Sequence, residues 1–235
     1  QIFEYTRAIT HFYFGIYYDL VWVKFPSTLM RGGFFDYISR FKYLTFWNMI
    51  VQAVYFTICL VNDICGNTDI DPKEKPLIRR IKDYMYATVA FPVSMFVGIQ
   101  FWILMFIDRE LVLPKAMDPF FPSWLNHIMH TNIMIFTLIE MVTTFQQYPK
   151  RSDGLKGLVS FMLIYLIWLH VIYGVSSFWV YPILEVLNAW QRLLFFLFTL
   201  GLVVSLYFLG EFLNNTIWGK VHRQLEITKA RRKTK

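Results

Sequence analysis

Thr45-Phe46-Trp47-Asn48-Met49-Ile50-Val51-Gln52-Ala53-Val54-Tyr55-Phe56-Thr57-Ile58-Cys59-Leu60-Val61-Asn62 reads as one helix with two unlike faces. Thr45, Asn48, Gln52, Tyr55, Cys59 and Asn62 recur at alternating steps of three and four, which aligns them in a single stripe. The opposite face carries Phe46, Ile50, Ala53, Val54, Leu60 and Val61, with Thr57 as its polar member. A helix surface against lipid tails must be apolar, so the polar stripe is expected to point into a bundle of other helices. That arrangement defines the expected fold class: all-α, a polytopic membrane bundle.

The rest of the chain agrees. Of its 235 residues 56% are hydrophobic and 20% aromatic, against roughly 45–50% apolar in soluble domains by a count that also includes Gly. The excess falls in blocks near 8–23, 42–63, 84–107, 123–145, 155–179 and 192–215. Most reach the roughly 20 apolar residues that a spanning helix needs. The first is the weakest, because His11, Tyr17, Tyr18 and Asp19 interrupt it. No small-residue cleavage site follows it, so a span is preferred to a signal peptide. About six transmembrane helices are expected, in one domain covering 1–235 with short loops that make neighbours antiparallel.

The net charge of +7 is asymmetric. Arg7, the connection with Lys73, Lys75, Arg79, Arg80 and Lys82, the connection with Lys150, Arg151 and Lys156, and the tail 220–235 hold most of the 23 Lys and Arg. The other side has Lys24, Arg31, Arg40, Lys42, Arg109, Lys115 and Arg192. The positive-inside rule then places both termini in the cytosol, with the basic tail on anionic headgroups rather than nucleic acid. The two cysteines, Cys59 and Cys65, form no CxxC pair and imply no disulfide framework.

A second stripe carries the chemistry. Asn126, His130, Ile133, Thr137, Glu140 and Thr144 share one face of the fourth block, with His127 slightly to one side. Ionisable groups in a span are costly in lipid, so they face protein or a wet cavity and mark a functional site by default. Asn, Gln and Thr in such stripes also serve as interhelical glue, at roughly 0.6–2 kcal/mol each; Gln52, Tyr55, Asn62, Thr137 and Thr144 are read that way. Depth separates the others. Thr45 lies roughly 5 Å and His130 roughly 10 Å into helices that start on the same, non-cytosolic side. If those helices are neighbours, hydroxyl and imidazole can meet, which is the minimum kit for nucleophilic catalysis. A threonine at a helix start is otherwise an N-cap.

The chain also resembles a known family. Lys42-Tyr43-Leu44-Thr45-Phe46, Gln52-Ala53-Val54-Tyr55-Phe56, Ala90-Phe91-Pro92-Val93 and Phe101-Trp102-Ile103 carry the likeness. So do Asp108-Arg109-Glu110, Trp124-Leu125-Asn126-His127, His130-Thr131, Trp179-Val180-Tyr181-Pro182 and Leu209-Gly210-Glu211. In order and spacing these blocks resemble the family of the androgen-induced gene 1 protein and the androgen-dependent TFPI-regulating protein, from about residue 42 to 218. The resemblance implies a multi-pass membrane hydrolase of fatty acid esters of hydroxy fatty acids. It maps the family's threonine nucleophile onto Thr45 and its histidine onto His130.

Ester hydrolysis at this pair needs fixed donors for the oxyanion. Asn48, one turn from Thr45, Asn126, one turn before His130, and His127 are candidates for oxyanion or orienting roles. Lys42 and Arg109 lie on the correct side to meet the substrate carboxylate, although Arg109 has Asp108 and Glu110 as competitors. No cofactor or metal is expected. The rivals are a zinc hydrolase built on His127, His130 and His170, and a non-catalytic lipid- or haem-binding bundle. Expected partners are a lipid ester and membrane lipids, in the plasma membrane or endoplasmic reticulum; oligomeric state stays open.

Overall fold

Every regular element in the described part of the chain is helical. The computed structural model describes residues 1–25, 40–66 and 75–233, with the side chains of 222 and 228–233 excepted. Arg31, Lys73 and the basic side chains from Lys229 to the C-terminus, which the charge argument used, lie outside the described residues.

α1 (Ile2–Val21) runs along α2 (Leu44–Cys65). α3 (Leu77–Met85) continues through a π-helical turn, Tyr86–Ala90, into α4 (Phe91–Ile107). Two short 3-10 turns, Arg109–Leu111 and Lys115–Met117, lead to α5 (Ser123–His127), a second π-helical turn, Ile128–Asn132, and α6 (Ile133–Thr143). α7 (Arg151–Ser176), α8 (Pro182–Val186), α9 (Ala189–Ile217) and α10 (Gly219–Lys233) follow. α4 is the hub: it packs on α9, α6 and α2, while α7 crosses the first π-turn and meets α9.

Four helical runs are long and apolar enough to cross a membrane: Leu44–Cys65, Leu77–Ile107, Arg151–Ser176 and Ala189–Ile217. The shortest has 22 residues, about 33 Å at the α-helical rise, against a hydrocarbon core of about 30 Å. These four match the second, third, fifth and sixth expected spans. α1 and the Ser123–Thr143 run occupy the remaining two positions as helices without meeting the same criterion.

The second of these runs, in the place of the third expected span, starts at Leu77, earlier than its apolar block suggested. Arg79, Lys82 and Asp83 are turned inward and matched, whereas Arg80 is exposed. Arg79 Nε donates to Asp83 at 3.1 Å, Lys75 pairs with Asp83 at 3.2 Å, and Lys82 Nζ lies 3.8 Å from Glu140. Leu77, Ile81 and Tyr84 are the exposed side of α3. Charge therefore does not stop this helix; satisfied charge is carried into it.

The expected stripes face the interior. Asn48, Gln52, Tyr55, Cys59 and Asn62 are buried, as are Asn126, His130, Ile133, Thr137 and Glu140. Most of their polar atoms find partners: Gln52 Nε2 donates to the Ala90 carbonyl at 2.9 Å, and Ser94 Oγ donates to Thr137 Oγ1 at 3.2 Å. The opposite face of α2 is a partial correction. Val54 and Val61 are exposed, but Phe46 and Ala53 are buried. α2 is flanked by neighbours on more than one side, α1 among them, so part of its apolar face meets protein.

Candidate functional site

The site begins where α2 begins. Tyr43 holds the N-cap position in extended conformation and supplies no side-chain cap. The cap comes from elsewhere: the Leu44 N–H donates to the phenolic oxygens of Tyr165 (3.0 Å) and Tyr181 (3.1 Å). Tyr165 donates its own proton to the Lys42 carbonyl at 2.9 Å. The two phenols are 2.9 Å apart, so the remaining proton, that of Tyr181, goes to the Tyr165 oxygen. Burial raises the Tyr181 phenol above its usual range, which keeps it neutral in this role. Four groups at the head of α2 are thereby satisfied, and Thr45 is the next residue along.

His130 sits at the middle of the π-turn Ile128–Asn132. π-bulges in helices are frequent at functional sites, because the extra residue re-aims a side chain. α4 approaches this turn closely at Gly98, where a Cβ would come within 2.6 Å of the His130 carbonyl. The approach lets Phe101 stack on the imidazole, with centroids 3.6 Å apart and planes 14° from parallel. His130 Nδ1 lies 3.0 Å from the Asn126 carbonyl. A carbonyl only accepts, so Nδ1 carries the hydrogen and Nε2 keeps its lone pair. That lone pair faces Thr45 Oγ1 at 3.3 Å. The hydroxyl is the donor and the imidazole the acceptor, the polarity that general-base activation requires.

Thr45 and His130 lie on the wall of a cavity of about 980 Å³, at the upper end of the roughly 300–1,000 Å³ of small-molecule sites. Its lining is mostly apolar, with Phe96, Phe101, Met129, Leu169 and Phe196 among the contributors. Arg40, Asp19 and Lys42 bring charge to it.

The other residues singled out from the sequence divide. Lys42 lines the cavity, its ammonium 5.2 Å from the Tyr43 ring centroid. Arg109 does not: it donates to the Leu113 carbonyl and pairs with Asp118, so its competitor is neither Asp108 nor Glu110. Asn126 acts on His130 through its backbone carbonyl, and its side-chain oxygen is buried without a partner. Asn48 is buried off the cavity, with Oδ1 accepting from Gln52 and Nδ2 unpartnered. His127 is exposed, stacked on Trp102 and 3.1 Å from Thr131 Oγ1. His127 and His130 therefore point apart. His170 lines the cavity and bonds the Leu166 carbonyl through Nδ1. Among the described residues no three His, Cys, Asp or Glu gather as a metal-binding group.

The model of the FAR-17a/AIG1-like protein family matches residues 6–215. The chain belongs to that family. This FAR-17a/AIG1-like chain is 42% identical over 203 residues to the androgen-induced gene 1 protein of Homo sapiens, covering 83% of itself and 82% of the relative. It is 37% identical over 183 residues to the androgen-dependent TFPI-regulating protein of Mus musculus, covering 78% and 79%. A membrane protein of Schizosaccharomyces pombe is 26% identical over 172 residues, 72% of each chain. No solved structure matches. With its apolar helices, the FAR-17a/AIG1-like chain is a membrane protein.

Sequence reasoning missed four features of the FAR-17a/AIG1-like site. The π-turn under His130 left no residue signature. The Tyr165–Tyr181 cap joins residues from α7 and the following loop to α2. The Phe101 stack joins α4 to the second π-turn. The fourth is the Arg40–Asp19 pair, 3.2 Å apart, with Asp19 buried. For that pair a signal existed: an aspartate inside an apolar block is costly unless a cation meets it.

Proposed function

We propose that the protein is an integral membrane esterase that hydrolyses fatty acid esters of hydroxy fatty acids, with Thr45 as nucleophile and His130 as general base. One observation carries the reading: Thr45 Oγ1 donates toward a His130 Nε2 whose tautomer is set by the Asn126 carbonyl, on the wall of a large apolar cavity. In the proposed bilayer arrangement all six helical runs cross, and both termini are cytosolic.

In the first step His130 Nε2 takes the Thr45 proton as Oγ1 attacks the ester carbonyl carbon. The tetrahedral intermediate collapses, the C–O bond to the hydroxy fatty acid breaks, and the leaving alkoxide takes the proton from Nε2. In the second step water attacks the acyl-threonine, giving its proton to Nε2, and Oγ1 departs with that proton. The products are a fatty acid and a hydroxy fatty acid. The β-branch of threonine restricts χ1 and helps hold Oγ1 on line. The Thr45 N–H lies in the first turn of α2, where no carbonyl four residues back within the helix takes it; it is the donor assigned here to the oxyanion. Lys42 is assigned to the substrate carboxylate.

Purified wild type should cleave such an ester and accept a fluorophosphonate label. Thr45→Ala and His130→Ala should each abolish hydrolysis while preserving monodisperse protein, and Thr45→Ala should also lose the label. Gln52→Ala, a packing residue, should cost far less. An active Thr45→Ala protein ends the proposal. Tight binding of the ester without turnover by wild type would favour a lipid carrier instead.

A further inference from the structure

The cavity is not walled equally on all sides. Its lining residues on α2, α4 and the second π-turn are buried or half-buried. On α7 and α9 several lining residues are exposed at the same time: Leu163 at 44%, Leu193 at 45% and Leu197 at 57%. Val186 on α8 is 73% exposed and lines it too. Residues that face both a cavity and the outside mark its opening.

The shape of the α7–α9 pair explains the opening. Consecutive long helices joined by a short connection run antiparallel. Near the start of α7 and the end of α9 they are in close contact: Gly154 has the Tyr207 ring against it, and Leu158 and Val203 are fully buried. Toward the end of α7 and the start of α9 the two helices touch through His170 and Phe196, whose ring centroids are 5.6 Å apart, while Leu163, Leu193 and Leu197 line the cavity and face outward.

We infer that the gap between the outer halves of α7 and α9 is a lateral portal through which an acyl ester passes from the bilayer to Thr45. The inference rests on the esterase reading for its substrate, and on the exposed lining for its route. The occupant is a long acyl chain because most of the lip, Leu163, Leu193, Leu197 and Val186, is apolar, interrupted by His170 and Glu185, and belongs to helices bounded by lipid. A two-chain ester is dissolved in the membrane. Entry through the polar side of the cavity, past Arg40 and Lys42, would carry every methylene through water. Entry between two helices leaves the chains in hydrocarbon throughout and lets the carboxylate trail toward Lys42.

The test uses the full chain in phosphatidylcholine vesicles. Leu193→Trp with Leu197→Trp fills the gap; Phe212→Trp, on α9 but away from the cavity, is the control. Hydrolysis of a long-chain ester of a hydroxy fatty acid should fall about tenfold or more in the filled variant. Hydrolysis of p-nitrophenyl acetate, supplied from water, should persist. Unchanged long-chain hydrolysis, or equal loss of both esters, overturns the portal. A diazirine fatty acid in the same vesicles supplies a readout that needs no chemistry. It should mark Leu169, which is buried on the cavity wall, in wild type and equally in Thr45→Ala, and lose that mark in the filled variant. Labelling of Leu169 with no hydrolysis by wild type would remove the esterase and leave the portal; no adduct at Leu169 in wild type, or an equal one in the filled variant, removes the portal.

Discussion

Thr45 and His130 make a hydrogen bond whose direction is decided by a third group, the Asn126 carbonyl. That dependence separates two kinds of substitution. Thr45→Val keeps the shape and removes the oxygen, so it should be inactive and fully folded. Thr45→Ser keeps the oxygen but loosens χ1, so it should retain activity at a reduced kcat with KM little changed. Steady-state kinetics on one ester, with circular dichroism as the folding control, checks both. At the head of α2 the Tyr165 and Tyr181 hydroxyls share one N–H. Tyr181→Phe leaves Leu44 its second acceptor and should cost about 1 kcal/mol. Tyr165→Phe with Tyr181→Phe leaves both the Leu44 N–H and the Lys42 carbonyl without these partners. It should cost more than the sum of the single changes, read as thermal unfolding in detergent.

The elements that carry the pair are shaped by one close approach. Gly98 admits the His130 turn against α4, whereas Gly174 on α7 has nothing within 4 Å of an added Cβ. Gly98→Ala must push backbone, and should destabilise by about 1–3 kcal/mol while disturbing the Phe101–His130 stack and lowering kcat. Gly174→Ala fills open space on a helix and should be neutral or stabilising by up to about 1 kcal/mol. Equal effects of the two on hydrolysis would contradict the role given to the approach. The polar periodicity of α2 and of 126–144 was legible because spacing decides which residues share a face. The π-turns were not, because a π-bulge is a register slip that tertiary packing imposes, with no residue type of its own.

Across the whole molecule one charge centre ties the helices together. Glu140 accepts from Tyr5 (3.3 Å), Tyr55 (3.1 Å) and Gln146 (2.8 Å), and faces Lys82 at 3.8 Å. It thus joins α1, α2, α3 and α6 away from the Thr45–His130 pair. Lys82→Met strands a buried carboxylate and should cost about 3–5 kcal/mol. Lys82→Met combined with Glu140→Gln should recover a large part of that loss in the same melting assay, the non-additivity expected of a coupled pair. An unpaired carboxylate in lipid is too costly to keep, so the Glu140 position alone implies a nearby cation, and Lys82 is that cation.

Some properties needed only the order of residues. Helix type, inward polar stripes and membrane character follow from local rules: backbone groups in lipid must be satisfied within their own segment, and lipid accepts only apolar faces. Which faces meet is another matter. The choice of Lys82 for Glu140, of Arg40 for Asp19, and of Asp118 for Arg109, together with the cavity between α2, α4, α7 and α9, depended on contacts between residues far apart in the chain. Periodicity orients a side chain about its own helix axis, but its neighbours are set by how all the helices pack at once, which is a property of the folded chain.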